Sequence, residues 1–193
     1  MIINEPLTLA TDYMLAVAST IFGALLWRRG VRLWALAFLF TACGSFFGGT
    51  FHGFGGEAIW KATVYSIGLA SMFLFIGATA SRALRAIAVA LFVVYAVWMV
   101  THDDFVYVII DYGISLIAVT ILQIVTWMRD RAASAPWVIG SVIVSVVAAI
   151  VQQAPIAYHN DVYHVIQLVA LWLLYRGGTL MNSATERPKS QPT

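Results

Sequence analysis

Seven apolar runs, each near twenty residues, are divided by short charged or polar connections. They lie near residues 8–27, 33–53, 58–80, 83–101, 105–128, 136–153 and 161–181. A helix needs roughly 17–25 mostly apolar residues to cross a bilayer. The runs therefore predict an all-α, integral membrane bundle of seven transmembrane helices in one domain, residues 1–181. The sixth is the shortest, and Pro136 opens it in the first turn, where proline is tolerated. The chain is 61% hydrophobic and 10% charged; a soluble domain carries about 25% charge. Cys43 is the only cysteine, so no intrachain disulfide forms, and it reads as a small packing residue. Before the first run stands Glu5 and no base, so that run reads as a retained span rather than a secretory signal. Residues 182–193 are polar and hold two prolines; they are expected to form a disordered cytoplasmic tail.

Charge is segregated along this pattern. Of the eleven basic residues, ten fall at one side: Arg28, Arg29, Arg32, Arg82, Arg85, Arg129, Arg131, Arg176, Arg187 and Lys189. Lys61 alone falls on the other. Arginine and lysine favour the cytoplasmic side. The N-terminus is thus expected outside and the C-terminus inside. The small net charge of +2 is split between faces and points to no nucleic-acid partner. The compact loops fit a bacterial inner membrane.

Opposite the bases lie all four histidines and seven acids: Glu5, Asp12, Glu57, Asp103, Asp104, Asp111 and Asp161. Ionisable groups inside a membrane are costly and mark functional sites. Asp12 falls about one turn into the first span. His52 falls near the exit of the second, with Ser45 seven residues before it. Glu57 and Lys61 stand one helical turn apart and can pair. Asp103, Asp104 and Glu57 also suit helix N-termini. Asp111 is six residues beyond Phe105, roughly 9 Å deeper, and shares a face with Ser115. On the seventh span Asn160, His164 and Gln167 share a face, and Asp161 neighbours His164. His102 and His159 fall in loops and are expected to be solvated. In the second span, Gly44 and Gly48, and Gly49 and Gly53, have the small-xxx-small spacing that lets helices approach closely. The same bare backbone would leave room for a ligand beside His52.

A histidine late in span two, an aspartate, and a histidine early in span seven resemble the superfamily of alkaline ceramidases, progestin and adipoQ receptors and SID-1-like proteins. Asp111-Tyr112-Gly113-Ile114 is similar to a stretch of the adipoQ receptors, although here it falls in span five. The resemblance implies a zinc-dependent hydrolase. His52, His164 and Asp161, or Asp111, would hold the metal, with Asp111 and Ser45 catalytic and Asp12, Glu57, Asn160 and Gln167 supporting. Two histidines and a carboxylate suffice for catalytic zinc. Metal-bound water would attack a lipid amide or ester near the outer leaflet. The motif departs from the superfamily at Gly48, where it carries serine, and at Asn160, where it carries histidine. These departures leave open a receptor-like or lipid-binding bundle without catalysis. A proton-coupled transporter ranks third, since no inverted repeat is visible. Span seven holds no lysine for a retinal Schiff base.

Overall fold

The computed structural model describes residues 3–181, and these form seven helices with no strand. They are α1 (Pro6–Arg28), α2 (Arg32–Phe54), α3 (Glu57–Gly77), α4 (Arg82–Trp98), α5 (Phe105–Asp130), α6 (Ala135–Gln152) and α7 (His159–Met181). Five of them, α1, α2, α3, α5 and α6, are long and apolar enough to cross a membrane. Helix α4 has only 17 residues, and α7 opens with His159, Asn160 and Asp161. Large apolar side chains are exposed along the outer helix faces, among them Val17, Val94, Ile117, Ile143 and Val169. Such a surface suits lipid, where apolar exposure costs nothing. The tail expected at residues 182–193 lies outside the described residues.

The helices do not pack in chain order. α1, α2, α3, α5, α6 and α7 form a closed ring, because α3 packs on α5 and α7 returns to α1. α4 stays outside it, against α3 and α5. Only Ala88 and Tyr95 of α4 are buried.

Glycine sets the ring's spacing. Gly44 abuts Ile67 and Ser66 of α3, whereas Gly49 abuts Leu9, Asp12 and Tyr13 of α1. The two small-residue pairs of α2 thus serve two neighbours. They are filled by those helices rather than by a ligand-sized space. At the basic end Trp34 is fully buried beside Gly77 of α3 and Gly178 of α7. Phe38, Leu15, Leu74, Val119, Val138, Leu171 and Leu174 join it in an apolar floor. A second cluster, Val64, Tyr95, Met99 and Val108, joins α3, α4 and α5.

The expected Glu57–Lys61 pair is replaced by a longer-range contact. Lys61 Nζ reaches Asp103 Oδ1 at 2.6 Å and donates to the Met99 carbonyl at 2.6 Å. It thereby satisfies a carbonyl that the end of α4 leaves without an intrahelical partner. Glu57 is exposed, and the N-cap of α3 is Gly56 with no side-chain cap. Asp104 does cap α5, accepting from the Val106 amide at 2.9 Å. Cys43 is exposed on the outer surface instead of packed inside. His102 is half-buried and stacks on Trp98 at 3.9 Å. His159 begins α7. Replacing Lys61 by methionine is expected to loosen the α4–α5 connection, raising amide exchange across residues 98–104 about tenfold with little change elsewhere. Hydrogen-exchange mass spectrometry reads this directly.

Candidate functional site

Where α1 meets α7, at the end away from the arginines, a group of polar side chains is buried. Thr8, Thr11 and Asp12 come from α1; Asp161 and His164 come from α7. Each is less than one-tenth exposed. Thr8, Thr11 and Asp12 at i, i+3, i+4 on α1, and Asp161 and His164 at i, i+3 on α7, turn these residues to one side of each helix. Gly48 and Gly49 let α2 close over Asp12, since a Cβ at Gly49 would lie 2.8 Å from the Asp12 Cβ.

The contacts form two adjoining strings. Thr8 Oγ1 donates to Asp161 Oδ1 at 3.1 Å. Thr11 Oγ1 meets His164 Nδ1 at 2.9 Å, and His164 Nε2 meets Asp12 Oδ1 at 3.3 Å. Thr11 Oγ1 also lies 3.1 Å from the carbonyls of Leu7 and Thr8. Two proton arrangements satisfy both ring nitrogens. In one, the threonine hydroxyl donates to Nδ1, and Nε2–H donates to the Asp12 carboxylate. In the other, the hydroxyl turns to a backbone carbonyl, Nδ1–H donates to Oγ1, and protonated Asp12 donates to Nε2. The second holds one proton more. The site therefore gains or loses a proton without stranding a buried polar group, which would otherwise cost about 1–3 kcal/mol.

His52 lies beside this group, within electrostatic reach of His164. Its Nδ1 pairs with Glu5 Oε2 at 3.0 Å, nearer the outer surface. Asp161 likewise lies within reach of Asp12. Tyr163, next to His164 on α7, lies near Asp12, Tyr112 and Gln167.

Of the site residues expected from sequence, His52, His164, Asp161 and Asp12 gather at one end. Asp111 does not join them. It lies across from Ser71 of α3 and near Tyr95, with its Oδ2 buried and unpartnered. Ser45 is half-buried on α2, roughly 10 Å along the helix from His52. Asn160 is half-buried at the start of α7, Gln167 has a buried, unpartnered Oε1, and Glu57 is remote and exposed. Thr8 and Thr11 are the residues sequence reasoning missed. Thr8 lies one helical turn before Asp12, and Thr11 is its immediate neighbour in the chain.

Both ring nitrogens of His164 are engaged by Thr11 and Asp12, and His52 turns to Glu5. Among the described residues no three His, Cys, Asp or Glu side chains converge as a metal site. In this arrangement neither ring nitrogen of His164 is free for the implied zinc ion.

A largely apolar helix ring with a buried imidazole, hydroxyl and carboxylate between α1 and α7 marks a helical protein of the membrane type. Residues 7–183 match a family described as a family of unknown function (DUF6962), and the chain belongs to that family. No curated protein matches it.

Proposed function

We propose that this is a seven-span membrane protein that hydrolyses a lipid amide or ester at its outer polar centre. α4, at about 26 Å, and α7, at about 35 Å, are long enough to approach or exceed the roughly 30 Å hydrocarbon thickness. The arginine bias supports a cytoplasmic basic end and an outside N-terminus, and the compact loops support a bacterial inner membrane. One observation carries the chemical reading: the buried line Thr11–His164–Asp12. A hydroxyl bonded to an imidazole that a carboxylate orients is the arrangement that activates a nucleophile.

In that chemistry the Thr11 oxygen bonds to the substrate carbonyl carbon as its proton passes to His164 Nδ1. Asp12 holds Nε2–H and stabilises the imidazolium. His164 then returns the proton to the departing amine or alkoxide. Water, deprotonated by the same ring, releases the acyl group and restores the hydroxyl.

A second reading is a receptor-like or lipid-binding bundle without catalysis. The Thr8–Asp161 bond favours it, because the same set of polar contacts joins α1 to α7. The two readings separate in purified protein reconstituted with lipid amides and esters. Hydrolysis lowered at least a hundredfold in Thr11→Val, with the fold intact, supports the enzyme. Turnover unchanged in Thr11→Val removes Thr11 as nucleophile. No turnover in the wild type, with α1 and α7 still dependent on Asp12 and His164, supports the second reading.

A further inference from the structure

On the lipid-facing side of the α1–α2 hairpin runs a groove of about 470 Å³. Val17, Thr20 and Ile21 form one wall; Leu39, Cys43 and Phe46 form the other. The lining is almost wholly apolar. The Thr20 hydroxyl is turned away onto the Ala16 carbonyl at 2.8 Å. Tyr13 stacks on Phe46 at 5.3 Å.

Both walls lead back to arginine. On α1, Val17, Ile21, Ala24 and Arg28 follow one another at intervals of four, three and four residues. On α2, Arg32, Leu36, Leu39, Cys43 and Phe46 follow at four, three, four and three. These intervals keep side chains on one helix face. The turn at Gly30, with φ +76°, joins the two helices at the end where both arginines stand, each seven residues beyond the groove's nearest lining residues, Ile21 and Leu39. Both arginines are exposed, and neither guanidinium has a partner among the described residues. From Arg28 to Ile21 is about 10 Å along the helix, and from Arg32 to Phe46 about 21 Å. One leaflet of hydrocarbon is roughly 15 Å deep. A chain anchored at the arginines therefore enters the groove within its own leaflet.

We propose that the α1–α2 hairpin binds one anionic phospholipid, with its phosphate on Arg28 and Arg32 and an acyl chain in the groove. The charge at the mouth selects an anionic headgroup. The uncharged walls select a hydrocarbon chain. This site lies on the outside of the ring and is separate from the polar centre inside.

Cys43, as the only cysteine, supplies the probe. Bimane is attached to it, and the protein is placed in phosphatidylcholine vesicles containing a minor fraction of lipid with brominated chains. Brominated phosphatidylglycerol is expected to quench as though enriched about tenfold at Cys43 over equal brominated phosphatidylcholine. The preference should fall severalfold in Arg28→Gln and in Arg32→Gln separately, and persist in Arg85→Gln at the same end. Equal quenching by both lipids in the wild type overturns the proposal. So does equal loss in Arg85→Gln, which would mark a diffuse charge effect. Absent lipid quenching, with Cys43 crosslinking between two copies, assigns the groove to a second copy and also overturns it.

Discussion

Replacing His164 by alanine is expected to destabilise the protein by about 3 kcal/mol or more and to remove any activity of the polar centre. The change strips Asp12 and Thr11 of their shared partner while both stay buried. Breaking a buried charge-bearing pair by removing one member costs about 3–5 kcal/mol, because the other remains unmatched in an apolar setting. The double change His164→Ala with Asp12→Ala is expected to recover part of that loss, since no carboxyl group is then left behind. Denaturant unfolding in lipid–detergent mixtures measures both. Equal stability of the single variant and the wild type would show that the pair contributes nothing to holding α1 on α7.

Gly49→Val should have an effect of similar size by a different route. Even a Cβ at Gly49 would stand 2.8 Å from the Asp12 Cβ, 3.0 Å from the Tyr13 ring and 3.1 Å from the Leu9 carbonyl. Two of these three belong to α1's own backbone or first side-chain carbon, so a rotamer change cannot relieve them. Overpacking of this kind costs about 1–3 kcal/mol. α1 should shift away from α2 and carry Asp12 off His164, lowering stability and any turnover together. Gly56→Val is the contrast for space: the nearest atom there is the Ile59 side-chain tip at 3.4 Å. Its φ of +111° nevertheless strains a side-chain residue, so its cost should come from the backbone and leave the polar centre intact. Thermal melts with turnover or proton-uptake measurements separate the two outcomes.

Much of the helical plan is legible in the sequence because apolar length and charged connections fix helix positions. The runs near 8–27 and 33–53 became α1, Pro6–Arg28, and α2, Arg32–Phe54. The ring order is not legible there. That α3 meets α5 while α4 sits outside follows from matching helix surfaces, and hydropathy carries no record of partners. The site was readable in part. Asp12, His52, Asp161 and His164 stand near the same end of their helices, so depth alone brings them close. Asp111 lies at a related depth but on α5, and there it faces Ser71. Depth fixes one coordinate; rotation and ring position fix the others. Lys61 teaches the same limit, because helical spacing offered Glu57 while the folded chain offered Asp103 and two carbonyls at the end of α4. Thr8 and Thr11 are not distinguished by sequence, because threonines within a helix commonly bond their own backbone, as Thr20, Thr41 and Thr63 do here.

The ring closes through α1 and α7, with Thr11 and His164 standing 153 positions apart in the chain. A ribosome delivers these partners in that order and far apart in time. Asp12 therefore reaches the bilayer long before the imidazole that will match it exists. Until α7 arrives, α1 must rest with its carboxyl protonated, hydrated or near the surface, as an unmatched charge in hydrocarbon requires. The final helix thus does more than add a seventh rod to the assembly. It supplies the imidazole that Asp12 meets, so a chain truncated before α7 is expected to leave that acid unmatched.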